Sequence, residues 1–216
     1  MSDNQKYTLF GYWRSSASWR IRWALELKGL SYEYVPVNLV QSEQKSLEHL
    51  ARNPLGKVPV LKTPEGDLLT QSLSILEYLE EVHPPAILYP VSPLERARCR
   101  ALCEVINADT APFQTPFVQK RHSSDAAEQL NWAQEWIRKG FGAFDKLLPN
   151  RDGPYSFGER PTMADLFLVP QIYNAVRYQI PVAIEYPALW NIYEIALKTE
   201  ACIKASPEEQ SDAQQP

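Results

Sequence analysis

Apolar positions along the first third of the chain switch between two periods, and the switches mark the elements. Tyr7-Thr8-Leu9-Phe10-Gly11-Tyr12 is a β-branched and aromatic run of strand length, whereas Ala17, Ile21, Ala24, Leu25 and Leu27 recur at helical spacing and stop at Lys28-Gly29. A strand therefore hands over to a helix at Ser15-Ser16. Tyr32 to Asn38 reads as a second strand. Gln44 to Leu50 reads as a short helix that Asn53-Pro54 ends, because proline disfavours helical geometry in the residue before it. Lys57 to Lys62 and Asp67 to Thr70 flank the turn signal Thr63-Pro64-Glu65-Gly66, which predicts a hairpin. After Gln71-Ser72, the spacing of Leu73, Ile75, Leu76, Tyr78 and Leu79 predicts a helix that finishes before Pro84-Pro85. The order β-α-β-α-β-β-α implies two parallel strands joined by a right-handed crossover and closed by an antiparallel hairpin, with helices on both faces.

Beyond the proline-rich stretch from 85 to 93, strand signals vanish. Helical patterns over Leu94 to Val118, Ala126 to Leu148, Thr162 to Arg177 and Ala188 to Lys204 predict an all-helical second domain. The expected division is 1–84, a linker at 85–93, and 94–216 with a polar, loose tail of about ten residues. Thr162-Met163-Ala164-Asp165 has the form of a capping box with aspartate in the usual place of Glu or Gln, so Asp165 is expected to be structural.

Charge narrows the partners. With 22 basic and 26 acidic residues and no dense basic run, nucleic acid is not expected. No apolar run approaches the ~18 residues needed to cross a bilayer, and the first residues lack a signal-peptide core, so no membrane and a cytoplasmic location are expected. Three cysteines, Cys99, Cys103 and Cys202, form no framework. Cys99 and Cys103 share a helical face without a His or further Cys beside them, so buried thiols are expected in place of a metal site.

Two places can carry chemistry. The first turn of a helix has unpaired amides and the positive dipole end, so an anion suits the Ser15-Ser16 start; a plain N-cap is the competing reading. Pro59 inside an otherwise good strand marks an edge, a bulge or a cis bond. With a cis Val58-Pro59 bond, free backbone groups beside it could pair with a peptide ligand as an added strand.

These residues together resemble a known family. The thioredoxin-like order, Ser15-Ser16 opening the first helix, Val58-Pro59, and Gln71-Ser72 opening the third are similar to the amino-terminal domain of a glutathione transferase. Trp13-Arg14-Ser15-Ser16-Ala17-Ser18-Trp19-Arg20-Ile21-Arg22 resembles the signature of its zeta class, and Asn174 to Tyr178 and Pro207 to Asp212 fit the same class. The resemblance implies a glutathione transferase fold, a thioredoxin-like domain followed by an all-helical one. It implies glutathione as cofactor, held by Ser15, Ser16, Gln44, Val58, Pro59, Gln71 and Ser72. The catalytic role falls to Ser15 and Ser16, where a hydroxyl and a helix start favour the thiolate. The implied reaction is cis–trans isomerisation of a conjugated keto acid, maleylacetoacetate, in phenylalanine and tyrosine breakdown, with Arg14 and Arg177 binding substrate carboxylate. Neighbouring readings are maleylpyruvate isomerisation, transfer to α-halo acids, and a non-catalytic glutathione-binding or partner-binding module. A homodimer is implied as well.

The chain departs from the class pattern at four positions, one of them Trp23, which is bulkier than the usual aliphatic residue. Ala17 stands where many members have cysteine, which disfavours thiol–disulfide chemistry. Ala111 and Thr115 replace His or Gln and Asn, at positions that lie near the cofactor in the class. Arg20 and Arg22 are expected to be structural or surface residues.

Overall fold

The computed structural model describes residues 6–84, 88–149 and 152–213. Residues 85–87 of the expected linker, the first five residues and the last three lie outside that description. The described residues fall into two compact units, one drawn from 1–87 and 199–216, the other from 88–198.

In the first unit, Tyr7–Gly11 forms β1, Ser16–Leu27 α1, Tyr32–Pro36 β2, Leu47–Arg52 α2, Val60–Lys62 β3, Leu68–Thr70 β4 and Ser72–Val82 α3. The sheet order is β2-β1-β3-β4, with β1 and β2 parallel and the β3–β4 hairpin antiparallel to β1. Alternation sends Phe10, Val37 and Val60 into a cluster joined by Val35 and Val58. Leu9 and Leu61, cross-strand partners of opposite parity, are wholly buried. Helix α1 is buried at every position from Ser18 to Leu25, including Trp19 and Trp23, so no face of it is left for water.

The helix expected over Gln44 to Leu50 divides into a 3₁₀ turn at Glu43–Lys45 and α2. Ser46 stands between them in extended geometry, and its side chain accepts the His49 amide, so its preference for capping over helix interiors wins.

The second unit contains α4 (Pro93–Asn107), α5 (Pro116–His122), α6 (Ala126–Leu147), α7 (Met163–Arg177), α8 (Val182–Glu185) and α9 (Pro187–Ala196). Helix α7 touches α4, α8 and α9 and is buried without interruption from Met163 to Ile172. Asp165 closes its start as expected: its carboxylate accepts the Thr162 amide at 2.7 Å, the Thr162 hydroxyl at 2.9 Å and the Ser156 amide at 2.8 Å. Burial pushes this carboxyl up, and the hydrogen bonds from Thr162 and Ser156 oppose the push. The pattern over Leu94 to Val118 is not one helix, since α4 stops at Asn107 and α5 begins only at Pro116. Pro112 and Pro116 lack the amides a continuous helix needs there.

Helix α6 carries a glycine for steric reasons. A Cβ at Gly140 would lie 1.9 Å from the Thr110 hydroxyl, which is itself committed to the Val105 carbonyl. Gly140→Ala should therefore lose about 1–3 kcal/mol in urea denaturation through overpacking, despite alanine's better helix propensity.

The segment expected as one helix from Ala188 to Lys204 divides as well, into α9 and α10 (Glu200–Ala205). Helix α10 belongs to the first unit and packs on α1. The residues after it, expected to be loose, form a 3₁₀ turn at Pro207–Glu209, and the Gln210 amide donates to the carbonyls of Lys204 and Ser206 at 3.0 and 2.8 Å. Cys99, Cys103 and Cys202 are all buried thiols, and burial pushes Cys202 up to about 12.

Candidate active site

Strand register gathers the sequence-marked residues of the first unit at one end of the sheet. Phe10 stands opposite Val60, and Val60 opposite Thr70. The turn after β1, the residues before β3 and the residues after β4 therefore share an edge. Ser15-Ser16, Val58-Pro59 and Gln71-Ser72 occupy these three segments. Parallel pairing of Gly11 with Pro36 brings the segment after β2, which runs on to Gln44, out at the same end. This is the carboxyl end of the parallel pair, where open α/β sheets place their ligands.

Ser15 is the N-cap of α1, and its Oγ accepts the Ser18 amide at 3.2 Å. The two readings of this serine are compatible, because a hydroxyl that accepts through a lone pair still has a proton to donate. The amides of Ser16 and Ala17, at the first two helical positions, have no hydrogen-bond partner among the described residues. Together they form a small donor cluster at a positive helix end. Gly11 allows the helix to start this close to the sheet, since a Cβ there would meet the Tyr34 ring at 2.9 Å and the Ser18 hydroxyl at 3.2 Å.

The Val58-Pro59 bond is cis, and the β3 ladder begins only at Val60. Val58 makes no backbone hydrogen bond among the described residues. Gln44 is half-buried in the 3₁₀ turn, and its Oε1 is buried without a partner. Gln71, exposed at the start of α3, has φ 67°, a conformation that costs a non-glycine residue about 1–3 kcal/mol and clusters at functional sites. Ser72, the first residue of α3, is buried and accepts from Arg20 Nη1 at 3.0 Å.

Two arginines behind the site carry more than the sequence reading gave them. Arg20 sets a buried cation behind the α3 start through Ser72. Arg22, wholly buried, donates from Nη2 to the Trp13 carbonyl at 2.9 Å and from Nε to the Ala205 carbonyl at 2.8 Å. Its plane faces the Tyr34 ring at 5.7 Å. Burial pulls Arg22 below its ordinary value, against the opposing pull of Tyr34, Tyr32 and Asp212. The sequence does hold a signal for both: they sit two apart between Trp19, Ile21 and Trp23, in a run that is otherwise apolar from Trp19 to Leu25. Of the two expected readings, structural or surface, burial selects the structural one.

Arg14 lies in the turn beside the serines, its guanidinium 5.4 Å from the Trp13 ring centre. Arg177 ends α7 in the second unit and is exposed. Ala111 and Thr115 fall in the break between α4 and α5, where the Thr115 hydroxyl donates to the Pro112 carbonyl at 2.9 Å. Among the described residues there is no cluster of three or more His, Cys, Asp or Glu suited to a metal, and no helix long and apolar enough to cross a membrane.

Comparison with known proteins gives this arrangement a family. The model of the glutathione S-transferase N-terminal domain matches residues 5–81, and that of the glutathione S-transferase C-terminal domain matches 122–194. A maleylacetoacetate isomerase of Rhizobium meliloti (strain 1021) is 45% identical over 180 residues, covering 81% of this chain and 84% of the relative. A solved bacterial maleyl pyruvate isomerase, a glutathione S-transferase in the zeta class, superposes with a TM-score of 0.91 at 36% identity, covering 96% of this chain and 100% of that one. The maleylacetoacetate isomerase of Anaeromyxobacter dehalogenans 2CP-1, solved with GSH bound in its active site, superposes with a TM-score of 0.87 at 40% identity and covers 97% and 98%. The chain belongs to the glutathione S-transferase family, in its zeta class.

Proposed function

We propose that this chain is a glutathione-dependent isomerase that converts maleylacetoacetate to fumarylacetoacetate, a step in phenylalanine and tyrosine breakdown. The observation that carries the reading is the shared sheet edge, where the α1 donor cluster, the unpaired Val58 backbone and the α3 start meet. Each matches one feature of an extended tripeptide with two carboxylates and a thiol. Val58 offers a backbone amide and carbonyl to the middle residue as an added strand would. The start of α3, with Ser72 polarised by Arg20, suits a carboxylate, and Gln44 and Gln71 supply further polar contacts.

Bound glutathione supplies a thiol nucleophile that adds to the substrate's double bond, lets it rotate as a single bond, and leaves it trans. The residues of the chain then have separable tasks. Ser15 donates its hydroxyl proton toward the sulfur position, and Ser16 and Ala17 add backbone amides, which together favour the ionised thiol. Arg14 and Arg177 bind substrate carboxylate, for which the guanidinium fork is suited. Residues 1–84, with the segment from 199 that packs on them, carry the cofactor role, and 94–198 carry the substrate role.

The test is to mix purified protein with maleylacetone and glutathione and follow loss of the cis absorbance. Decay that requires glutathione is expected; no decay above background overturns the reading. Running maleylpyruvate in parallel ranks the two keto acids, since the same site chemistry serves both. Arg177→Ala should raise KM about tenfold, the loss of one charge-assisted contact, with kcat changed much less. We further propose a cytoplasmic homodimer, for which sedimentation should give twice the chain mass.

A further inference from the structure

We propose that Asp212 is a positioning residue that holds the Tyr12–Ser15 turn in its working geometry. This rests on the reading that Ser15 faces the sulfur of glutathione. Three observations bear on the backbone of one residue, Trp13. The Trp13 amide donates to Asp212 Oδ2 at 3.1 Å. The Trp13 carbonyl accepts from Arg22 Nη2 at 2.9 Å. The same Arg22 is anchored to the Ala205 carbonyl at 2.8 Å, so both restraints run into the segment after α9.

The turn they restrain is the one that aims Ser15. The Ser15 amide closes it on the Tyr12 carbonyl at 2.9 Å, and the Tyr12 amide meets the Ser18 hydroxyl at 3.3 Å. Trp13 and Arg14 are its two central residues, and among the described residues no backbone bond within the turn engages the Trp13 amide or the Trp13 carbonyl. Asp212 restrains the Tyr12–Trp13 peptide through its N–H, and Arg22 restrains the Trp13–Arg14 peptide through its C=O. Tyr34 adds a third hold by donating its hydroxyl to Asp212 Oδ2 at 3.4 Å. The carboxylate therefore receives an amide and a phenol on Oδ2, with the buried Arg22 cation near enough to feel its charge, which favours a fixed position for residue 212. Tilting the turn would move the Ser15 hydroxyl relative to the α1 amides, and a donor displaced by about 1 Å can cost orders of magnitude in rate.

Full-length wild type, Asp212→Ala and Asp212→Asn are compared in three measurements: kcat and KM with maleylacetone, the ultraviolet titration of bound glutathione thiolate, and hydrogen exchange at the Trp13 amide. For Asp212→Ala, kcat should fall about tenfold while KM for maleylacetone stays within about twofold. The bound thiol should ionise at higher pH, and the Trp13 amide should exchange at least about tenfold faster while Ile21 and Leu25 amides stay protected. Asp212→Asn keeps an oxygen for the same amide and should recover most of the rate. Should Asp212→Ala fail to fold, Asp212→Ser, which is too short to reach, takes its place. Wild-type kcat, thiolate titration and Trp13 exchange in the alanine or serine variant would overturn the proposal, as would an asparagine variant no better than alanine. A wild-type protein with no bound thiolate would instead overturn the proposed function, and Trp13 exchange would still decide whether Asp212 holds the turn.

Discussion

Ser15→Ala is expected to lower kcat about a hundredfold, the usual cost of removing one preorganised donor from a developing or bound anion. Alanine also removes the N-cap, so the Ser18 amide loses its acceptor and stability should fall by about 1 kcal/mol. The two effects separate in Ser15→Gly. Glycine caps a helix nearly as well as serine, within a few tenths of a kcal/mol, but donates no hydroxyl proton. A glycine variant with near wild-type stability and a turnover as low as that of the alanine variant assigns the loss to chemistry. Titration of the bound thiol supplies the matching measurement, because each tenfold loss of ionised cofactor corresponds to about 1.4 kcal/mol. If Ser15→Gly turns over at the wild-type rate, Ser15 is not the thiolate donor, and Ser16 becomes the residue to replace.

The largest expected effect on stability is at Asp165. Removing its carboxylate strands the Ser156 amide, the Thr162 amide and the Thr162 hydroxyl in a site closed to water. Hydrogen bonds to a charged group are worth about 1.5–3 kcal/mol each, and their losses overlap, so Asp165→Ala should cost about 3–4 kcal/mol in urea denaturation. Asp165→Asn keeps an acceptor but turns an NH2 toward one of the donors, and should fall between. Specific activity of the remaining folded protein should hardly change, because the residue acts on the start of α7 and touches no reacting group. An alanine variant with an unchanged denaturation midpoint would show that the capping bonds contribute nothing to stability.

Much of this was legible in the sequence because the informative signals are local. Strand-to-helix handover at Ser15-Ser16, the turn at Thr63 to Gly66 and the proline inside a strand each depend on neighbours in the chain, and β1, the hairpin and the cis Val58-Pro59 bond stand where those signals lie. Element ends were less legible. Ser46 and the 108–115 break show why: hydrophobic period continues across a capping serine or a proline turn, and only backbone hydrogen bonding ends the helix there. What periodicity cannot report is which element lies opposite. The sequence leaves Arg20 and Arg22 as either structural or surface residues, and only Ser72, Trp13 and Ala205, which receive them, decide for the interior. The tail looks loose by composition, yet Asp212 meets Trp13 across 199 positions of sequence.

That last separation has a bearing on how the polypeptide is made. Arg22 and its acceptor Ala205 lie 183 positions apart, with the whole of the second unit between them. On the ribosome the sheet and its three helices emerge first, but a guanidinium destined for a dry interior has to await an acceptor translated near the end. Until then the nascent half keeps a solvated arginine where α10 will sit, and its tryptophan-lined helix is open to the wrong contacts. A fragment cut at residue 84 is therefore expected to be less stable than the full chain, since it lacks the Ala205 acceptor and the packing of α10 on α1.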